Sequence, residues 1–382
     1  MSASHIPNLN TLRRGAGRGR FRTRGGAAAA SGGSNASDAG PGSKDTVVQG
    51  TDQDASVSRL SAVNLGYLED RYAQALASPG METRRMPIIN RGTYIRTTAI
   101  DHLVTDFLSS STAPKQIISL GAGSDTRVFR LLSQTPRPTN LIYHELDFAT
   151  NTASKIKLIR ASPLLQRVLG SDVTISPTGD ALHSPNYHLH PVDLRTLSQQ
   201  QPPPPPPPQT TSTPTPTPTP GIDTTLPTLL ISECCLIYLT PHEASAVVRY
   251  FSETLFPTSV PLGLIIYEPI RPDDAFGRTM VANLATRGIQ LQTLQQYATL
   301  EAQRGRLRAH GFGDGQAAAD VDFIWERWVA AREKDRVAAV EMLDEMEEWR
   351  LLARHYCVVW GWRDTLGLRV FDAWRAVEGQ DV

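Results

Sequence analysis

Cysteine is almost missing: Cys234, Cys235 and Cys357 are the whole set. Three thiols, two of them adjacent, make no disulfide framework, so the chain is expected in a reducing cytoplasm, with the nucleus as a second compartment. A long apolar run is missing too, as is a signal-peptide core, and no membrane partner is expected. Net charge is absent, because 38 basic residues balance 38 acidic ones. The molecule as a whole therefore offers no field for nucleic acid or a membrane surface. Signatures of other chemistries fail in turn. The stretch "HEASA", His242 to Ala246, lacks the second histidine of a zinc helix, and neither GxSxG nor GK[ST] occurs. No metal is expected.

Acidic residues are missing before Asp38, whereas "RRGAGRGRFRTRGG" from Arg13 is strongly basic. Glycine, alanine and serine leave little to bury, so residues 1–46 read as a disordered Arg/Gly-rich tail, with RNA contact as the sharper alternative. A second stretch, 199–221, carries "QPPPPPPPQT" and "TPTPTPTP". Proline cannot join a central strand or a helix interior, which makes this an extended polyproline segment. Since the pattern before it resumes at Leu229, it reads as an inserted surface loop in a single domain over 47–382. A ligand for a partner's aromatic groove is the other reading.

What the chain does have is alternation. Helical spacing covers 54–76, with Asp54 as a cap, and 93–110. Then come strand "KQIISLG", helix "DTRVFRLL", strand "LIYHELD" and helix "ASKIKLIRASPLLQRVL". A weaker strand "YHLHPVDL", strand "TLLISECCLIYL", helix "PHEASAVVRYFSETLF" and strand "LGLIIYEPI" follow. The order predicts an α/β fold, a mostly parallel sheet with helices on both faces. After Ile270 the chain reads as helical through "REKDRVAAVEMLDEMEEWRLLARH". A late strand, "YCVVWGW", is then added to the sheet, with an antiparallel place open to it.

In such a sheet ligands sit beyond the carboxyl ends of the strands. Gly121 and Gly123 end the first strand in "LGAGSDTR", Asp147 ends the second, Asp193 follows the third, and Glu233 closes the fourth. The third glycine of a dinucleotide fingerprint is missing, since Thr126 stands there. A carboxylate at Asp147 can accept ribose hydroxyls of NAD or of S-adenosylmethionine alike. The turn decides between them, because Asp125 is poorly placed beside a pyrophosphate. Asp193 suits an adenine amino group. The methyl donor is favoured. Asp125 and Thr126 are open to a capping role, and Tyr238 to packing or to lining a substrate mouth. Cys234 and Cys235 read as buried thiols of an apolar strand.

The ordered set "QDASVSRLSAV", "INRGTYIRT", "LGAGSDTR", "HELDF", "VDLRTL", "TLLISECCLIYL" and "LDEMEEWRLLARHYCVVW" resembles the leucine carboxyl methyltransferase family, from about residue 50 to 360. The resemblance implies a Rossmann-like, S-adenosylmethionine-dependent fold. It implies methylation of the C-terminal leucine carboxylate of the type 2A protein phosphatase catalytic subunit, by a monomer. It also implies that Arg96 meets the carboxylate of the cofactor or the substrate, that Gly121 and Asp147 form the cofactor turn and ribose acid, that Asp193 and Leu194 contact adenine, and that Glu233 lies near the methionine moiety. Arg59 stands where the family usually has lysine. A carboxylate is ionised near neutral pH and needs no general base, so Arg96 and Arg59 are assigned to orientation. The alternatives are a tRNA wybutosine-type carboxyl methyltransferase, a non-catalytic phosphatase adaptor and, at fold level, an NAD-dependent oxidoreductase.

Overall fold

Short runs that are apolar on both faces can be buried only in the middle of a sheet covered on both sides. The computed structural model of the chain places them there. It describes residues 41–78, 80, 84–138, 140–199, 219 and 221–381; the Arg/Gly stretch and nearly all of the polyproline segment lie outside the described residues.

In chain order the helices α1 (Pro41–Gln49), α2 (Thr51–Asn64), α3 (Ala73–Leu76) and α4 (Pro87–Ser109) precede strand β1 (Lys115–Leu120). Then follow α5 (Arg127–Leu132), β2 (Leu141–Asp147), α6 (Ala149–Ala161), α7 (Pro163–Leu169), β3 (Thr174–Ile175), β4 (Leu182–His183) and β5 (Tyr187–Pro191). The second half holds β6 (Thr228–Glu233), α8 (Pro241–Arg249), β7 (Leu262–Pro269), α9 (Ala275–Ala285) and α10 (Leu300–Ala309). It closes with β8 (Gly315–Asp320), α11 (Val321–Arg327), α12 (Ala331–Val340), α13 (Met346–Arg354) and β9 (Tyr356–Arg363).

The strands form one sheet in the order β3-β4-β5-β2-β1-β6-β7-β9-β8. Strands β5, β2, β1, β6 and β7 run parallel, while β9 is antiparallel to both β7 and β8. This is the mostly parallel, Rossmann-like α/β sheet expected, and the late strand takes the antiparallel place open to it. Chain order reverses between β1 and β6, which puts the switch crevice at the end of β1. Ile117 and Ile118 show why these strands are central: adjacent in sequence, both fully buried, they feed opposite cores. One core packs α4 through Ile95, Ile100 and Phe107. The other packs α8 and α10 through Val247, Val248 and Leu307. Burying a side chain of this size contributes roughly 1.5–3 kcal/mol.

Several boundaries differ from the sequence reading. Residues 41–46, read as part of the tail, belong to α1, which begins at Pro41. The helix read over 54–76 is two helices, interrupted after Asn64 where Gly66 takes φ +89°. Asp54 sits in the first turn of α2 rather than at its cap. The helix read from Thr93 starts at Pro87, a residue preset for a first turn. Ser162 and Pro163 divide "ASKIKLIRASPLLQRVL" into α6 and α7, Ser162 capping the second. "GQAAAD", inside the stretch after Ile270 that reads as helical, forms β8, because pairing with β9 overrides weak local preference. Among the described residues no helix is long and apolar enough to cross a membrane.

Candidate functional site

A cavity of ≈ 760 Å³ opens at the carboxyl ends of β1, β2, β5 and β6, where the switch crevice predicts it. Arg59, Arg96, Gly121, Asp147, Asp193, Leu194 and Glu233 all line it. The structure therefore gathers every site residue read from the sequence into one space, from segments spread between Arg59 and Glu233.

The β1 turn forms its floor. Gly121 has φ +63° and Gly123 φ +49°, a region side chains rarely adopt. A Cβ on Gly121 would lie 2.6 Å from Cys235 Sγ. The Gly123 N–H donates to Asp147 Oδ2 at 2.7 Å, while Asp147 Oδ1 accepts from Phe148 N–H at 2.7 Å and from Asn151 Nδ2 at 2.9 Å. A carboxylate offers about four lone-pair positions, so one remains, on Oδ2. That suits one ribose hydroxyl rather than the pair expected. Burial raises the Asp147 pKa despite these donors. Asp52, which the sequence reading left unassigned, reaches in from α2. Its Oδ1 accepts from both the N–H and the hydroxyl of Ser124, each at 2.7 Å.

At one flank, Asp193 and Leu194 follow β5. Arg195 grips Asp193 through Nε at 2.9 Å and Nη2 at 2.7 Å, and Asp45 of α1 through Nη1 at 3.1 Å and Nη2 at 2.7 Å. Burial opposes ionisation of Asp193, but Arg195 outweighs it and lowers the pKa. Helix α1 is thereby held across this end, with Lys44, Asp45, Val48 and Gln49 on the cavity wall.

The opposite flank is a charge lattice. Arg96 donates from Nε to Glu233 Oε2 at 2.8 Å, with its guanidinium 4.7 Å from the Tyr267 ring centre. Arg127, also missed, is fully buried and joins Glu233 at 2.8 Å, Asp125 at 2.6 Å and Asp101 at 2.9 Å. Burial disfavours the Glu233 carboxylate, yet Arg127 and Arg96 hold it ionised, below the usual range. Asp125 is held low by Arg127 and Arg59 against the same burial. Asp125 Oδ1 also accepts from Arg127 N–H at 3.0 Å, the capping role open to it; Thr126 has no such cap bond and donates instead to Asp70. Arg59 lies 3.6 Å from Asp70 and 3.5 Å from Asp125, facing carboxylates of the protein itself, and among the described residues its buried Nη1 makes no hydrogen bond. The only sequence signal for Arg127 was its place at the end of "GAGSDTR".

Beyond Arg96 the wall is aromatic and apolar: Tyr238, Tyr267, Tyr356, Trp349 and Leu352. Tyr238, open to packing or to a place at the mouth, lines the cavity. Cys234 and Cys235 correct the sequence reading, for they lie in the turn after β6, not within it. Cys234 takes φ +50°, and the two thiols pack toward opposite cores. Burial pushes the Cys234 thiol up to about 11, so it is no nucleophile at neutral pH.

The family model described as "Leucine carboxyl methyltransferase" matches residues 48–202. A protein named leucine carboxyl methyltransferase 1 from Aspergillus fumigatus is 66% identical, over 100% of this chain and 99% of its own. One of the same name from Emericella nidulans is 64% identical over 100% and 99%. That from Schizosaccharomyces pombe is 41% identical over 83% and 94%.

Proposed function

We propose, for a chain that belongs to the leucine carboxyl methyltransferase family, that it forms a methyl ester on the α-carboxylate of the C-terminal leucine of the type 2A protein phosphatase catalytic subunit, using S-adenosylmethionine. The observation that carries this reading is the single cavity that sets the Arg96–Glu233 pair beside the Gly121 turn and the acids Asp147 and Asp193.

The residues fit that cofactor better than a dinucleotide. A pyrophosphate on the turn would face the carboxylates of Asp52, Asp125 and Asp147, and the Gly123 N–H is already given to Asp147. Asp147 Oδ2 would hold a ribose hydroxyl, and Asp193, shared with Arg195, would meet the adenine amino group beside Leu194. Glu233 and Arg96 offer complementary charge to an amino acid's ammonium and carboxylate. When bound, S-adenosylmethionine supplies an electrophilic methyl group.

The rest falls to the protein. The acceptor carboxylate arrives ionised, so no base is required. The thiol and phenols beside Arg96 supply none: burial drives the Cys234 thiol and the Tyr267 and Tyr356 phenols upward, leaving them protonated near neutrality. Arg96 keeps its charge, because Glu233 outweighs the burial that would lower its pKa. Trp349, Leu352 and Tyr238 exclude water from the space in which the acceptor must be aligned. Arg59 supports Asp125 and Asp70, and so steadies the lattice that orients Glu233 and Arg96.

Transfer of label from S-adenosylmethionine to the purified phosphatase catalytic subunit tests this. The intact subunit should be labelled, and one lacking its final leucine should not. Equal labelling of both would overturn the proposal.

A further inference from the structure

Arginine Arg96 cannot serve every carboxylate that this reaction brings to it. Its Nε is spent on Glu233 at 2.8 Å, which leaves one fork, Nη1 and Nη2, for a single two-point grip. Arg59 is drawn to Asp70 and Asp125 at 3.6 and 3.5 Å, its buried Nη1 making no hydrogen bond among the described residues, and Arg127 is committed to Asp101, Asp125 and Glu233. If the cofactor's own carboxylate occupies the Arg96 fork, the acceptor must be met by other donors.

Two are in place. Tyr267 lies near the end of β7 and Tyr356 opens β9. In the antiparallel register they are diagonal neighbours on one face, since Tyr267 faces Val358 and Pro269 faces Tyr356. Their rings stack with centres 5.6 Å apart and planes at 16°. Arg96 covers the Tyr267 ring, and both tyrosines line the cavity. Among the described residues none hydrogen-bonds either hydroxyl, although Tyr267 is only 7% exposed. A nearly buried phenol facing a cavity without a partner is a donor held for something that enters. Both phenols stay neutral, because burial disfavours the phenolate.

We propose that the Tyr267 and Tyr356 hydroxyls receive the acceptor's α-carboxylate, while Arg96 and Glu233 hold the amino-acid end of the cofactor. This rests on the methyl-transfer reading above. The chemistry favours such a division. A neutral donor to a carboxylate forms a short, charge-assisted bond yet adds no full positive charge beside the attacking oxygen. An arginine would orient the acceptor equally well and draw more electron density from it.

The test uses the full-length chain with Tyr267→Phe and Tyr356→Phe, singly and together, since these remove only the hydroxyls. Binding of the phosphatase catalytic subunit is measured without cofactor, with a free and with an amidated C-terminus. Cofactor affinity is measured by calorimetry and folding by thermal melting. The wild type should prefer the free terminus, and the double variant should lose about ten- to a hundredfold of that preference. Its cofactor affinity and melting temperature should be unchanged. A double variant that still prefers the free terminus as the wild type does would overturn the assignment, and so would one whose cofactor affinity falls instead. A wild type that methylates the phosphatase while its Phe variants bind normally defeats this inference alone. A wild type that methylates no terminal leucine defeats the reading beneath it.

Discussion

At Gly123 two demands meet, because the backbone takes φ +49° and the Asp52 carboxylate fills the space into which a Cβ would project. Gly123→Ala must therefore strain the backbone and displace Asp52 from Ser124. The cost should be about 1–3 kcal/mol in denaturant unfolding, with weaker S-adenosylmethionine binding, because the moved N–H is the one that orients Asp147. An unchanged unfolding midpoint with unchanged affinity would show that the turn tolerates a side chain. The strand-end residues were legible at this scale because each follows an apolar run whose end is easy to see. Asp52, Arg127 and the tyrosines were not, since their roles depend on neighbours remote in sequence. Nothing in "TDQD" announces that its first aspartate, Asp52, will reach across to Ser124.

Among the elements, the β4–β5 edge carries a histidine cluster with consequences for pH. His144 of β2 lies with Nδ1 3.1 Å from His190 Nε2, and His183 and His188 approach Nδ1 to Nδ1 at 3.2 Å. The His144 and His188 rings stack at 4.8 Å. Burial first, then the neighbouring imidazoles, lowers His144 from 6.5 to about 2, His190 to about 3 and His188 to about 4. All are neutral in folded and unfolded chains above 6.5. Below that value the unfolded chain takes protons that the folded one refuses, so stability is lost as pH falls from about 6.5 toward 4. Buried Glu145, Asp147 and Asp320, whose pKa values are raised, act in the opposite sense, so the histidine share is isolated by comparison with a variant. His144→Asn should flatten the fall in the urea midpoint between about pH 7 and about pH 5. An identical fall in both proteins would mean that the cluster is not what titrates. Elements were legible where long runs made them central, as with β1, β2, β6 and β7. They were not where pairing decided, as with β8 and the two-residue β3 and β4. Helix α1 was hidden by its glycine-rich surroundings; the grip of Arg195 on Asp45 shows what it packs against.

At the scale of the whole molecule, one sheet presents its carboxyl edge to helices from both ends of the chain. The cavity between them has an acidic, turn-built half and an aromatic half, joined at Arg96 and Glu233. That division is the physical content of the proposed activity, because one half suits a nucleoside-bearing donor and the other an apolar residue ending in a carboxylate. The central claim is where the methyl goes. Tandem mass spectrometry of the phosphatase catalytic subunit, after reaction with this protein and S-adenosylmethionine, reads that directly. The account predicts that the C-terminal peptide alone gains one methyl group, placed on the final leucine as a base-labile ester. A methyl group on an internal glutamate or on RNA, with the terminal leucine unmodified, would contradict it.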